Sequence, residues 1–148
     1  MPENLTPGDG QDLLARFKTA RERRDPDRTL ELFAEDAEYR NDPFEAAMTG
    51  HIAIRAHWNR IAAEEVHIDF DAEHIWIAGR TVLASWHGAF TRGATAERVR
   101  QRGFSTIEVD EEGLISRMRD WTLSRHVGSD TRHAPGPGPG QAGEGWDG

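Results

Sequence analysis

An α+β fold with helices first and a curved antiparallel sheet after them is what this sequence predicts. Three observations carry that reading. Apolar residues recur at helical spacing through the first sixty or so positions, and the period changes to two beyond Glu65. Four strand-like runs then follow, separated by the turn signals Gly79-Arg80, Gly93-Ala94-Thr95 and Asp110-Glu111-Glu112-Gly113. Helices gathered on one side of the chain and strands on the other give helices packed on one face of a sheet.

Taken in order, Leu13, Leu14, Phe17 and Ala20 form the apolar stripe of a first helix from Gln11. Lys18, Arg21, Arg23 and Arg24 crowd its end, where cations complement the helix dipole. Asp25-Pro26 ends that helix and starts a second, with Asp25 as N-cap, Pro26 at the first helical position and Leu30, Phe33 and Ala34 buried. Thr49-Gly50 opens a third helix, with Ile54, His57, Trp58 and Ile61 at i, i+3, i+4 and i+7. Val66, Ile68, Phe70 and Ala72 alternate with polar residues as a strand, and the phase slips before Ile75 and Ile77, which predicts a bulge. Strands over Thr81–Arg92, Glu97–Val109 and Leu114–Arg125 complete a meander, with a short strand expected near Glu38–Asn41.

Composition narrows the function classes. At 148 residues and 36% hydrophobic content the chain makes one domain, expected over 10–127, with tails at 1–9 and 128–148, the second rich in Pro-Gly repeats. No apolar run reaches the roughly 18 residues of a membrane span. The N-terminus lacks the basic and apolar regions of a secretory signal, so a cytoplasmic protein is expected. A net charge of −8 opposes bulk attraction to nucleic acid or to anionic membranes. There is no cysteine, which removes thiolate nucleophiles and thiolate metal sites. The seven histidines show no HxH or HExxH spacing, so no metal is expected.

Asp42-Pro43-Phe44 sets one acid among aromatic neighbours, where an apolar setting would raise its pKa and suit it to proton transfer. The competing reading is a turn residue bonded to its own backbone. Asp120 joins a cavity if Ser116, Met118, Asp120 and Thr122 face inward, and it lies on the outer sheet face in the other parity. His57, on the stripe of the third helix, reads as a core residue or a proton shuttle. His87 lies on one of two alternative faces of its strand. Arg98, Arg100 and Arg102 share a strand face with Phe104. It reads either as a surface for an anion or nucleic acid or, with Glu97, Glu108, Glu111 and Glu112 close by, as solvated or cross-strand ion pairs, which is the favoured reading.

The order of these pieces resembles the nuclear transport factor 2-like superfamily, the SnoaL-like or ketosteroid-isomerase-like cone fold, over residues 11–125. The residues that carry it are Leu30-Glu31-Leu32-Phe33-Ala34-Glu35-Asp36-Ala37, Asp42-Pro43-Phe44, Gly50-His51-Ile52-Ala53-Ile54, Asp110 to Ile115, and Arg119-Asp120-Trp121. The resemblance implies a cone enclosing a small-molecule pocket, with Asp42 at the place of the ketosteroid isomerases' catalytic aspartate and an acid, Asp120, on the last strand. Those isomerases' oxyanion donors do not carry over, since Phe17 and Ser105 stand in their places, which argues against steroid isomerisation. It implies catalysis by Asp42, Asp120 and His57, with Tyr39, Phe44, Trp58, His87, Ser105 and Met118 around a small hydrophobic metabolite. Isomerisation, dehydration or cyclisation by proton transfer would need no cofactor. A non-catalytic ligand-binding or dimerisation module is the rival. A homodimer through the outer sheet face is expected, with Trp86, Phe90, Phe104 and Trp121 supplying apolar area.

Overall fold

The computed structural model describes residues 3–134. Helix α1 runs Pro7–Glu22, α2 Pro26–Leu30 and α3 Gly50–Glu64; strands are β1 Phe33–Arg40, β2 Met48–Thr49, β3 Glu65–Ala78, β4 Thr81–Arg92, β5 Glu97–Val109 and β6 Ile115–Ser129. The sheet order is β2-β1-β6-β5-β4-β3, so the expected four-strand meander forms one side and β1 adds to its far edge. The sheet curves without closing, and α1 and α3 pack against its concave face. That concave face carries the core: Phe17 of α1 meets Trp58 of α3 and Phe70 of β3 edge-on, at 5.8 Å and 5.5 Å between ring centroids.

Local chemistry accounts for the boundaries. Thr6 caps α1 in a reciprocal capping box with Asp9, four residues ahead of the expected start. Asp25 caps α2 as expected, accepting from the Arg28 N–H with Pro26 behind it. In the turn before β6, the Asp110 carboxylate accepts from the N–H groups of Glu112 and Leu114, and Gly113 supplies the left-handed backbone at φ 83°. The phase slip in β3 is a real bulge between Ala72 and His74, with a second between Val66 and Asp69 where His67 has φ 50°.

Three expectations need correction. The second helix stops at Leu30, and Phe33 and Ala34 belong to β1. Phe33 pairs with Ile115, and the Ile115 N–H donates to the Leu32 carbonyl at 2.8 Å, so sheet pairing wins over a five-residue helix with little cooperativity of its own. β1 lies parallel to β6, so the sheet is mixed rather than wholly antiparallel. Finally, the described ends of the chain are packed. The Leu5 N–H donates to the Gly79 carbonyl at 2.9 Å, ahead of α1. β6 continues to Ser129, and the next residue, Asp130, is buried. The Pro-Gly repeat from 135 onward lies outside the described residues.

Asp130 fastens the segment that follows β6. Its N–H donates to the Ala96 carbonyl at 2.7 Å, its carboxylate accepts from the Thr91 hydroxyl and from Arg132 at 2.8 Å and 2.9 Å, and His133 reaches the Gly93 carbonyl at 3.0 Å. The Arg132 and Thr91 donors hold the carboxyl well below its ordinary pKa of 3.8. A depressed folded pKa contributes stability that is present above pH 3.8 and is lost as the pH falls toward the folded value. Asp130→Asn is therefore expected to lower the thermal midpoint at pH 7, with the gap from the parent closing in melts run progressively below pH 3.8.

Candidate functional site

A cavity of about 250 Å³ opens inside the cone between α1, α3 and the concave face of the sheet. The inward register of the strands builds its wall. Tyr39 of β1 pairs with Met118 of β6, and Ser105 of β5 pairs with Asp120 of β6, so three strands deliver polar groups to one place. The Tyr39 hydroxyl donates to Asp120 Oδ2 at 2.5 Å and the Ser105 hydroxyl to Asp120 Oδ1 at 2.5 Å. Trp86 Nε1–H donates to Ser105 Oγ at 2.9 Å, extending the chain to Trp86–Ser105–Asp120–Tyr39. Trp86 can lie flat across β5 because its opposite residue is Gly103, where a β-carbon would overlap the indole ring.

Burial raises the Asp120 pKa, with the Ser105 and Tyr39 donors and the positive field of Arg21 opposing that shift. Burial likewise pushes the Tyr39 phenol well above its usual range, and the neighbouring Asp120 charge adds to the effect. Tyr39 is fixed on its other faces by Trp58, stacked at 5.6 Å, and by His57 edge-on at 5.4 Å. A tyrosine hydroxyl beside a hydrogen-bonded carboxylate is an arrangement whose chemistry suits proton exchange.

The expected site residues divide cleanly. Asp120, His57, Tyr39, Trp58, Ser105 and Met118 all line the cavity, which settles the parity of β6 in favour of an inward Asp120. Asp42, Phe44 and His87 do not. Asp42 is exposed in the loop after β1, where its carboxylate accepts from the Phe44 N–H at 2.9 Å, the backbone-bonded turn reading of that motif. Phe44, in the same loop, is 93% exposed. His87 lies on the outer face, paired with Asp71 and Arg102, since Trp86 takes the inward position. Trp86 and Phe90 are buried, so neither serves the outer face as expected. Arg98 and Arg102 of β5 reach past β4 to Asp69 at 2.7 Å and Glu73 at 2.8 Å on β3, ion pairs with acids other than the sequence neighbours expected.

Sequence reasoning missed Arg21, Glu65, Asn41, Gln101 and Ser124, which also line the cavity, while Thr122 lines it as the inward parity of β6 requires. The signal existed for most of them. Arg21 continues the stripe of Leu14 and Phe17 by one more turn, Gln101 shares the parity of Ser105, and Ser124 that of Asp120. Among the described residues, no three histidine, aspartate or glutamate side chains gather as metal ligands, and no helix is long and apolar enough to cross a membrane.

The family model for the SnoaL-like domain matches residues 14–118, and the chain belongs to that family, within the nuclear transport factor 2-like cone fold. No curated protein sequence matches the chain. Among solved structures it is similar to SalBIII, an epoxide hydrolase/cyclase-like enzyme in pyran ring formation in the polyether salinomycin, with TM-score 0.73 and 17% identity over 81% of this chain and 97% of that one. A putative isomerase from Bacillus subtilis gives TM-score 0.70 and 23% identity, covering 78% of this chain and 87% of the other. A putative SnoaL-like polyketide cyclase from Shewanella denitrificans gives 0.68 and 16%, covering 80% and 92%. At such identities the likeness is one of fold.

His57 has a measurable consequence. It is 5% exposed, and burial, followed by the fields of Arg60 and Arg21, lowers its pKa from 6.5 to about 4. The unfolded chain takes up a proton near pH 6.5 that the folded chain refuses until about 4, so native stability is full above 6.5 and falls across that window. In His57→Phe the decline of the urea midpoint between pH 6.5 and 4 is expected to be visibly shallower than in the parent.

Proposed function

We propose that the protein binds a small, hydrophobic, oxygen-bearing metabolite in this cavity and moves a proton on it without a cofactor, as an isomerase, dehydratase or cyclase. The observation that carries this reading is Asp120, a carboxylate in the cavity wall held by hydroxyl donors from two other strands. Its raised pKa brings it nearer to neutrality, where a general base has both the right protonation state and useful strength. When the carboxylate takes a proton from the substrate, the protonated oxygen changes from acceptor to donor, and the hydroxyl bonded to it is released. The Tyr39 hydroxyl can then donate to the substrate's oxygen. Asp120 stands where the sequence reading had put Asp42 as the base.

Asp120→Asn preserves size and removes the titrating group. Turnover is expected to fall by roughly 10²–10⁴ with ligand binding retained, measured on ligands identified by native mass spectrometry of the protein purified from its host. One observation favours a second reading, a non-catalytic binding module: both Asp120 oxygens already accept from the protein. Equal turnover in parent and variant would decide for that reading.

We also propose a homodimer through the outer sheet face. Trp76, Trp121, Leu123 and Val127 are 51%, 41%, 80% and 45% exposed, and Trp76 meets Phe104, whose partner in register is Trp121. β1 pairs with β6 as far as Arg119, which leaves one edge of the rest of β6 unpaired among the described strands. Sedimentation equilibrium at micromolar concentration is expected to return twice the 16.6 kDa chain mass, and Trp121→Glu to shift it toward one.

A further inference from the structure

Two charged groups in the cavity have no part in the chemistry above, Arg21 and Glu65. Arg21 leaves the last turn of α1 into the cavity, its side chain 13% exposed and its guanidinium 5.2 Å from the centre of the Trp58 ring. Its polar partner among the described residues is Glu65, Nη2 to Oε1 at 3.6 Å, which is longer than a hydrogen bond. Glu65 Oε1 is itself buried without a hydrogen-bond partner. A guanidinium offers five N–H donors in a planar fork, and enclosing it without a hydrogen-bonded acceptor is costly. Arg21 is also the sole lysine or arginine among the described lining residues.

We propose that Arg21 holds a carboxylate of the ligand, so that the molecule taken into the cone is a small apolar acid whose reacting end lies at Asp120. The second half of that statement rests on the acid–base reading of Asp120; the anion site itself does not. Three further observations fit. The field of Arg21 acts on Asp120, Tyr39 and His57 alike, which places it over the same interior space. Burial raises the Glu65 pKa against the opposing pull of Arg21, and the Glu65 carboxylate stands 3.6 Å from the guanidinium, outside hydrogen-bond distance. His57 is neutral at pH 7, since its pKa is about 4, and adds no competing cation. The planar fork matches a carboxylate by two parallel hydrogen bonds, and the Trp58 ring lies against the guanidinium on one side. At about 250 Å³ the cavity is just below the usual range of ligand pockets, which limits the acid to a compact body.

The test compares 4-phenylbutyrate with 4-phenylbutanamide, the same body with and without the charge, by calorimetry at pH 7 on the full chain. The acid is expected to bind about tenfold or more tightly than the amide. Arg21→Gln should erase that difference while its circular dichroism spectrum and cooperative melt persist. Glu65→Gln, which removes the competing acid, should strengthen binding of the acid. Equal affinity for the two probes, a preference that survives Arg21→Gln, or no binding of the acid at millimolar concentration would each overturn the proposal. Should Arg21→Gln not fold, Glu65→Gln decides, and unchanged or weaker binding of the acid counts against Arg21 as the anion holder. Asp120→Asn should keep the preference for the acid. A variant that keeps both this preference and parental turnover would therefore remove the acid–base reading and leave the anion site standing.

Discussion

A carboxylate inside an apolar cone must be met by donors, and much of this structure follows from how Asp120 is met. Hydrogen bonds to a charged group contribute about 1.5–3 kcal/mol each, and a buried one left unpaired costs more than a neutral group would. Ser105 is the direct cross-strand partner of Asp120, so the β5–β6 register supplies the first donor. Tyr39 comes from β1, set by its pairing with Met118 two residues earlier on β6. A slip of one residue in either ladder would turn Asp120 outward and send Arg119 or Trp121 into the cavity. The polar wall and the sheet register are thus one constraint. Trp86, lying over Gly103 to reach Ser105, ties β4 into it as well.

The fold was readable because its periodicities are clean. The stripe of α3, the Asp25-Pro26 start of α2, the bulge before Ile75 and the acidic turn at Asp110 all report local physics that the final structure keeps. β1 was hidden for a physical reason. Leu30, Leu32, Phe33 and Ala34 form an apolar run that suits either a helix end or a buried strand, and only the arrival of β6 across more than eighty residues decides between them.

The site was half readable. Parity on β6 brought Met118 and Asp120 to the cavity together, and the α3 stripe brought His57 and Trp58. Asp42 failed because an Asp before a proline satisfies its own backbone as readily as it serves a pocket, and here the Phe44 N–H takes it. Arg21 was passed over because cations at a helix end are so well explained by the dipole. Its place on the inward stripe was the stronger fact. In each case local chemistry offered two answers, and packing from a distant strand chose.

The link between Tyr39 and Asp120 spans 81 positions, and it lies beside the parallel pairing of β1 with β6. Strands this far apart in sequence meet only after a large loop has closed, which is slow and is rewarded late. The β3–β4 and β4–β5 pairings are short-range hairpins, whereas β1 shares its ladder with a strand some eighty residues on. β6 joins the two parts of the sheet and carries Asp120 into the ladder beside Tyr39. Completion of the sheet and assembly of the polar wall around Asp120 are thus one long-range event.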